Sequence, residues 1–387
     1  MAAFAADPNS APSFRVTWRE LEYAPALAII LWTNVNNQTE KLKIENDVPL
    51  APFTTLGIGG PASRFVRAVS EEHIAAAVKY ASENGFPLFI LGGGSNIVVS
   101  DDGFEGLVLQ IGLKGIEFDR DVGGRVLARV AAGEDWDGFV AVCVEQGLAG
   151  IECLSGIPGF VGGTPVQNVG AYGQEVSEAI RFVRCFDRTE LKFVELSKAE
   201  CGFEYRKSIF NSTIRDRYIV TAVEFELEKG GEPRVAYKDL AERFAGRTPE
   251  LEELRNAVIE IRRNKSMVID PDDSNSRSAG SFFKNPLVPK NAIEEIAGRL
   301  GIEKVPHFRV DDETVKIPAA WLIEQAGFRK GFRMGNAGIS KKHSLAIVNC
   351  GGATAKEVIS LSDEIRRVVL EKFDVELQTE PVFVGSF

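Results

Sequence analysis

The positions of this chain best placed to do chemistry are, first, backbone ones. Between residues 151 and 176 the sequence reads IECLSGIPGFVGGTPVQNVGAYGQEV, with Gly156, Gly159, Gly162, Gly163, Gly170 and Gly173 inside 18 residues. The chain has 37 glycines in 387 residues, so composition alone places fewer than two in such a stretch. Glycine lets backbone approach a ligand closely and adopt positive φ. Pro158 and Pro165 stiffen the segment, so it is not a loose linker. It reads as a rigid cradle for a flat cofactor carrying phosphates, against the competing reading of tight surface turns. A second cluster, Gly92-Gly93-Gly94-Ser95-Asn96, follows an apolar run and precedes Ile97-Val98-Val99. Its N–H groups suit an anion nest, and a plain hairpin turn suits the pattern equally well. Three polar groups framed by aromatics add side-chain chemistry: Tyr205-Arg206-Lys207-Ser208, Ser281-Phe282-Phe283-Lys284-Asn285 and Glu380-Pro381. Taken singly, each is better explained as a surface residue or a cap.

Several chemistries are excluded. There is no GxSxG, no Walker A motif and no HExxH pair, and the glycines do not follow the GxGxxG order that opens a Rossmann helix. Three histidines offer little to a metal site. A net charge of −10 argues against non-specific nucleic-acid binding. Five scattered cysteines without a CxxC pair read as reduced thiols of a cytosolic protein. The apolar run at 24–32 is too short to span a bilayer and lacks the flanks of a signal peptide. The chain reads as a soluble protein of two or three domains, and its two glycine loops suit a dinucleotide held outside the Rossmann manner, such as a flavin, beside the turn readings above.

The elements that must position these groups are legible in part. Residues 1–45 have no clean period and read as a poorly ordered extension. A helix is expected at 70–84, capped by Ser70 and stopped by Gly85, and another at 135–146. Strands are expected at 87–91, 107–111 and 126–132, with antiparallel strands at 181–187, 193–196 and 217–227. A charged helix at 249–265 ends in Arg262-Arg263-Asn264-Lys265, a run that a solvated helix C-terminus explains. Residues 270–278 read as a polar linker. Helices are then expected at 291–300, 319–326 and 356–373, the last with Val358, Ile359, Leu361, Ile365, Val368, Val369 and Leu370 on its apolar face, and a strand at 378–384.

Taken together and in order, TTLGIGGPA, LGGGSN, AGEDW, GLAGIECLSGIPGFVGGTPVQNVGAYGQE, YRKSIF, AGSFFKNP, AAWLIEQAGF and EPVFVG resemble the UDP-N-acetylenolpyruvoylglucosamine reductases, flavoenzymes that make UDP-N-acetylmuramate for peptidoglycan. The resemblance covers about residues 46–387. It implies an α+β fold: an FAD-binding half of the vanillyl-alcohol-oxidase/p-cresol-methylhydroxylase type in two subdomains (46–111 and 112–269), then a smaller α+β substrate domain (270–387). It implies FAD held by Gly92, Gly93, Gly94, Ser95 and Asn96 and by Ile157, Gly162, Gly163, Thr164, Asn168, Gly170 and Ala171. Neither loop contains a histidine, so the flavin is expected to be non-covalent.

In that family NADPH reduces the flavin, and the substrate, UDP-N-acetylglucosamine enolpyruvate, then takes a hydride at its β-carbon and a proton at its α-carbon. Hydride addition beside a carboxylate builds enolate charge, which calls for a cation or acid and then for a proton donor. By motif, Arg206 and Glu380 match the charge-stabilising pair and Ser281 the proton donor. Tyr205, Asn285 and Gln325 match positions lining the substrate site, Lys265 the lysine on the sugar-nucleotide phosphates, and Tyr237 the tyrosine of a mobile loop. That tyrosine and the 32 residues at 287–318 place the chain with the subgroup that has both loop and insertion. The first 45 residues have no counterpart in the family, which leaves open a misassigned Met1 or a real tail, and 305–314 departs from its pattern. A cytoplasmic monomer without nucleic-acid or membrane partners is expected. The competing readings are a related FAD oxidase acting on a sugar or alcohol with O₂, and a binding module that has lost catalysis. The first has no use for GSFFKNP and a terminal glutamate; the second should lack one of Arg206, Ser281 or Glu380.

Overall fold

The structure is a computed structural model that describes residues 42–120 and 123–387; the expected extension lies, up to residue 41, outside the described residues. The first sheet has the order Glu45–Pro49, Pro61–Ala68, Phe104–Ile111, Leu88–Leu91. Its last three strands run parallel, and Glu45–Pro49 joins antiparallel at the edge. Helix Glu71–Glu83 is the crossover from Pro61–Ala68 to Leu88–Leu91, the two parallel strands on either side of Phe104–Ile111. Ser70 accepts from the His73 N–H as N-cap, and Ile74, Ala77, Val78 and Ala81 fall on one face at helical spacing and are buried.

Ile97–Val99 leaves this sheet. It pairs in parallel with Val382–Val384, while Leu88–Leu91 pairs with Phe104–Ile111. The GGGSN turn is therefore a junction between two sheets, and the hairpin alternative is wrong. The C-terminal strand is also shorter than expected. Pro381 has no N–H to donate, so the run divides there. Val382–Val384 pairs with Ile97–Val99, and residues 378–380 pair instead with 282–284: Lys284 N donates to Gln378 O at 2.9 Å and Glu380 N to Phe282 O at 2.9 Å.

A larger antiparallel sheet follows, ordered Lys192–Ser197, Ile180–Asp187, Tyr218–Lys229, Arg125–Ala131, Ile116–Arg120. Helix Trp136–Glu145 packs on it through Trp136, Phe139 and Phe225, whose ring centroids lie 5.1–6.0 Å apart. The Trp136 indole donates to Leu154 O at 3.0 Å, so this core also anchors the entry to the long glycine loop.

Beyond residue 280 two three-stranded sheets, Leu287–Pro289/Thr314–Lys316/Phe308–Arg309 and Arg333–Met334/Ala337–Ile339/Ile347–Asn349, accompany helices Ala292–Leu300, Ala319–Gln325 and Ala355–Phe373. In the last helix Val358, Leu361, Ile365, Val369 and Phe373 are buried, but Leu370 is 47% exposed and is not part of the apolar face. One residue past Val369 turns it about 100° toward water. The expected α+β class holds throughout. All five cysteines are free. Among the described residues no helix is long and apolar enough to cross a membrane.

Candidate active site

The two glycine loops, far apart in sequence, touch. A Cβ on Gly93 would lie 2.7 Å from the Gly159 Cα, and a Cβ on Gly159 would lie 2.6 Å from the Ser95 Oγ, so only glycine permits the approach. Gly159 is held from behind: its carbonyl accepts from Trp136 N at 3.0 Å, and Val161 N and Gly162 N donate to Glu134 O and Ala132 O at 2.9 Å. Gly94, at φ +63°, accepts from Thr55 N through its carbonyl. Asn96 links three parts, its amide donating to Gln167 Oε1 at 2.7 Å and to Glu380 O at 3.2 Å. Thr164 is buried with its hydroxyl on Val161 O, and Ile157 is half-buried. A methyl added at Gly92 or Gly163 would meet nothing within 4 Å, which leaves open backbone on both loops.

The later part of the long loop turns through Asn168 and Tyr172, non-glycine residues with φ of 45° and 50°, and Arg206 in the facing turn has φ 53°. Positive φ costs L-residues about 1–2 kcal/mol each, so local bonds must hold it. The Asn168 amide donates to Glu175 Oε2 (2.8 Å) and Glu204 O (3.1 Å), and its Oδ1 accepts from Ser177 N (3.2 Å). Gly170 and Ala171 pair with Glu175 and Gln174. Arg206 Nη2 donates to Gly170 O at 2.7 Å and Nη1 to Asn168 O at 3.4 Å, while its Nε stands 3.2 Å from Glu380 Oε1. Burial pushes the Glu380 carboxyl above its ordinary range, and the charges of Arg206 and Lys284 pull it back. Ser281 is half-buried and immediately precedes Phe282, whose carbonyl accepts from Glu380 N. Arg206 and Glu380, from distant segments, thus pair beside the cradle carbonyls, and the backbone next to Ser281 is tied to Glu380.

Tyr205 lies beside them, its ring 5.5 Å from the Arg206 guanidinium, and Asn285 near its phenol is fixed by its Oδ1 accepting from Ala319 N at 2.9 Å. Tyr237 and Lys265 form a second group around Tyr172. The two tyrosine rings meet edge-on at 5.3 Å, and the Lys265 ammonium lies 6.0 Å from the Tyr172 ring and 3.3 Å from Asp239 Oδ2. Gln325 is not brought into either group: it ends helix Ala319–Gln325 exposed, with no side-chain partner among the described residues.

A family model of the UDP-N-acetylenolpyruvoylglucosamine reductase C-terminal domain matches residues 270–384, and one of an FAD binding domain matches 62–190. The UDP-N-acetylenolpyruvoylglucosamine reductase of Thermobifida fusca is 47% identical over 348 residues, 88% of this chain and 97% of that protein. That of Streptomyces coelicolor is 45% identical over 350 residues, covering 88% and 90%. The chain belongs to the UDP-N-acetylenolpyruvoylglucosamine reductase family. The crystal structure of the reductase from Thermus caldophilus is similar with a TM-score of 0.60 at 27% identity, over 89% of this chain and 99% of that one. As a family member the chain is an FAD-dependent oxidoreductase, and the FAD-binding match spans both glycine loops. The C-terminal match holds Ser281 and Glu380; Arg206, Tyr237 and Lys265 fall between the two matches.

Three residues of this site escape a reading of the sequence. Arg262, expected at a solvated helix end, is only 7% exposed: Nε donates to Gly156 O at 3.2 Å and Nη2 to Met267 O at 2.8 Å. The chain folds back after Lys265 and covers it, so Arg262 props the first glycine of the cradle. Burial lowers its pKa, and its charge acts on nearby Tyr172, whose phenol burial pushes up to about 12. Tyr172 lies within the cradle motif but carries no signal apart from its glycine neighbours. Lys316 comes from the 287–318 insertion, and its ammonium stands 4.5 Å from the Tyr205 ring centroid.

Proposed function

We propose that this chain reduces UDP-N-acetylglucosamine enolpyruvate to UDP-N-acetylmuramate with NADPH as reductant, a step of peptidoglycan precursor synthesis. The observation that carries the reading is the Arg206–Glu380 pair at 3.2 Å, set against the cradle carbonyls and next to the segment bearing Ser281. The residues fit a flavin: two loops that only glycines allow to meet, each with an open backbone face at Gly92 or Gly163. Gly92–Asn96 and residues 157–171 would hold FAD, without a covalent link since neither loop has a histidine or cysteine. When bound, FAD supplies the acceptance and donation of hydride.

The chain's own residues do the rest. Arg206 is fixed by two backbone carbonyls, so its charge needs no reorganisation as negative charge grows on the substrate carboxylate. Glu380 is held at that charge by Asn96 through its backbone and by Arg206 through its carboxyl. Ser281 Oγ gives its proton to the α-carbon on the face opposite hydride arrival. A serine hydroxyl is a weak acid, so this works only for a strongly basic enolate and a well-placed oxygen. Tyr205 and Asn285 line the substrate site, Lys265 takes the sugar-nucleotide phosphates and Tyr237 closes over the nucleotide, with residues 46–269 binding FAD and 270–387 carrying most of the substrate site. The enzyme works as a cytoplasmic monomer. Ser281→Ala tests the reading: the protein should stay yellow and be bleached by NADPH, yet not recover its colour with the enolpyruvyl substrate. Normal turnover of that variant removes Ser281 as the donor.

A further inference from the structure

Thr314–Lys316 is the middle strand of its sheet, and its register sets Lys316 opposite Leu287 on one side and Phe308 on the other. Cross-strand partners share a face. Leu287 and Phe308 are 56% and 59% exposed, so this face of the insertion is not covered by the fold. The Lys316 ammonium leans across it, 4.5 Å from the Tyr205 ring and 6.0 Å from the Phe308 ring. Arg206 lies 5.5 Å from the same Tyr205 ring, so one tyrosine is flanked by two cations. The backbone around Lys316 is tied to the segment that bears Ser281: Ile317 N donates to Pro286 O at 3.1 Å and Ala319 N to Asn285 Oδ1 at 2.9 Å.

Among the described residues no carboxylate pairs with Lys316 or with Lys284. Arg206 and Lys284 both act on Glu380, and Lys316 stands over the Tyr205 ring that Arg206 also faces, in a chain whose net charge is −10. A half-buried cation without a counter-ion is unfavourable, and contact with an aromatic face offsets only part of that. A ligand anion would complete the charge balance there.

We propose that Lys316 is a substrate-binding residue contributed by the insertion, its ammonium taking an anionic oxygen of the sugar nucleotide. The proposal rests on the reading that the enolpyruvyl sugar nucleotide is the substrate. That molecule offers a carboxylate and a diphosphate, and both make the same charge-assisted hydrogen bond. Lys316→Met, which keeps the aliphatic stem and deletes the charge, tests it in the FAD-loaded enzyme. KM for the enolpyruvyl substrate should rise about tenfold to a hundredfold, while flavin content, melting temperature and the rate of bleaching by NADPH stay unchanged. Lys316→Arg should recover most of the loss, and the salt dependence of KM should be flatter in the methionine variant. UDP-N-acetylglucosamine carries the diphosphate without the carboxylate. An inhibition constant weakened in step with KM assigns Lys316 to the diphosphate; an unchanged one assigns it to the carboxylate. A KM within about twofold of wild type overturns the proposal, as does a rise that comes with lost flavin. Wild-type enzyme inert toward the substrate brings down the functional reading and the proposal with it, whereas active wild type with an unaltered methionine variant brings down the proposal alone.

Discussion

Alanine at Gly93 should drive the two glycine loops apart. Its Cβ would stand 2.7 Å from the Gly159 Cα, 3.0 Å from the Gly159 carbonyl carbon and 3.0 Å from the Phe160 nitrogen. Carbon atoms in contact rest at about 3.5–4.0 Å, so one loop must retreat by about 1 Å. All three obstacles are backbone, and the backbone at Gly159 is anchored to Trp136 and Glu134. Overpacking of this kind costs about 1–3 kcal/mol. If FAD spans both loops, the same strain weakens its dissociation constant by about fivefold to a hundredfold. Gly92→Ala and Gly163→Ala are the informative partners, because an added methyl meets nothing within 4 Å at either site. They should leave the melting temperature of flavin-free protein at the wild-type value and still weaken FAD, since only a ligand can crowd them. Thermal unfolding without FAD and fluorescence titration with FAD separate the two effects. Wild-type FAD affinity in both Gly92→Ala and Gly163→Ala would refute the cradle; a wild-type melting temperature in Gly93→Ala would refute the contact between loops.

Glu380→Gln should retain flavin and lose turnover by about 10²–10⁴-fold, because the carboxyl facing Arg206 at 3.2 Å disappears while the backbone bonds of residue 380 remain; loss of flavin instead would make Glu380 structural. His343 sits near Lys265, Lys330 and Arg262, and burial followed by those charges lowers its pKa from 6.5 to about 4. Its unfolded form takes up a proton as pH falls through 6.5 and its folded form does not, so stability is full above 6.5 and is lost toward pH 4. The loss is about 2–3 kcal/mol, reduced for partial exposure. His343→Gln should flatten the difference between urea midpoints at pH 7 and pH 4.5, and an unchanged difference would exclude His343 as its source.

How much of this the sequence showed depended on whether a signal was local. Ser70 with Glu71 and Glu72, or Asp135 before Trp136, mark helix starts because caps act over one turn. The glycine clusters announce a cradle because close approach is a property of the glycines themselves. Nothing local joins Arg206 to Glu380, whose pairing depends on Asn96, Gly170 and the 282–284 ladder closing from three directions; only the resemblance brings them together. Arg262 defeats the rule for helix C-termini because that rule assumes solvent, and the chain after Lys265 folds back over it. The expected strand at 378–384 is too long because Pro381 divides it between two partners, and Leu370 leaves the expected apolar face because one step past a buried position it meets water. Lys316 has no sequence signal: its meaning comes from Tyr205, more than a hundred residues away.

The most direct test is an anaerobic flavin spectrum of the purified protein, followed through addition of NADPH and then of UDP-N-acetylglucosamine enolpyruvate. A reductase of this mechanism should have its visible flavin band bleached by NADPH and restored by the enolpyruvyl substrate without oxygen. Recovery with O₂ but not with that substrate would contradict the mechanism and favour an oxidase, and a colourless protein that FAD cannot reconstitute would contradict both.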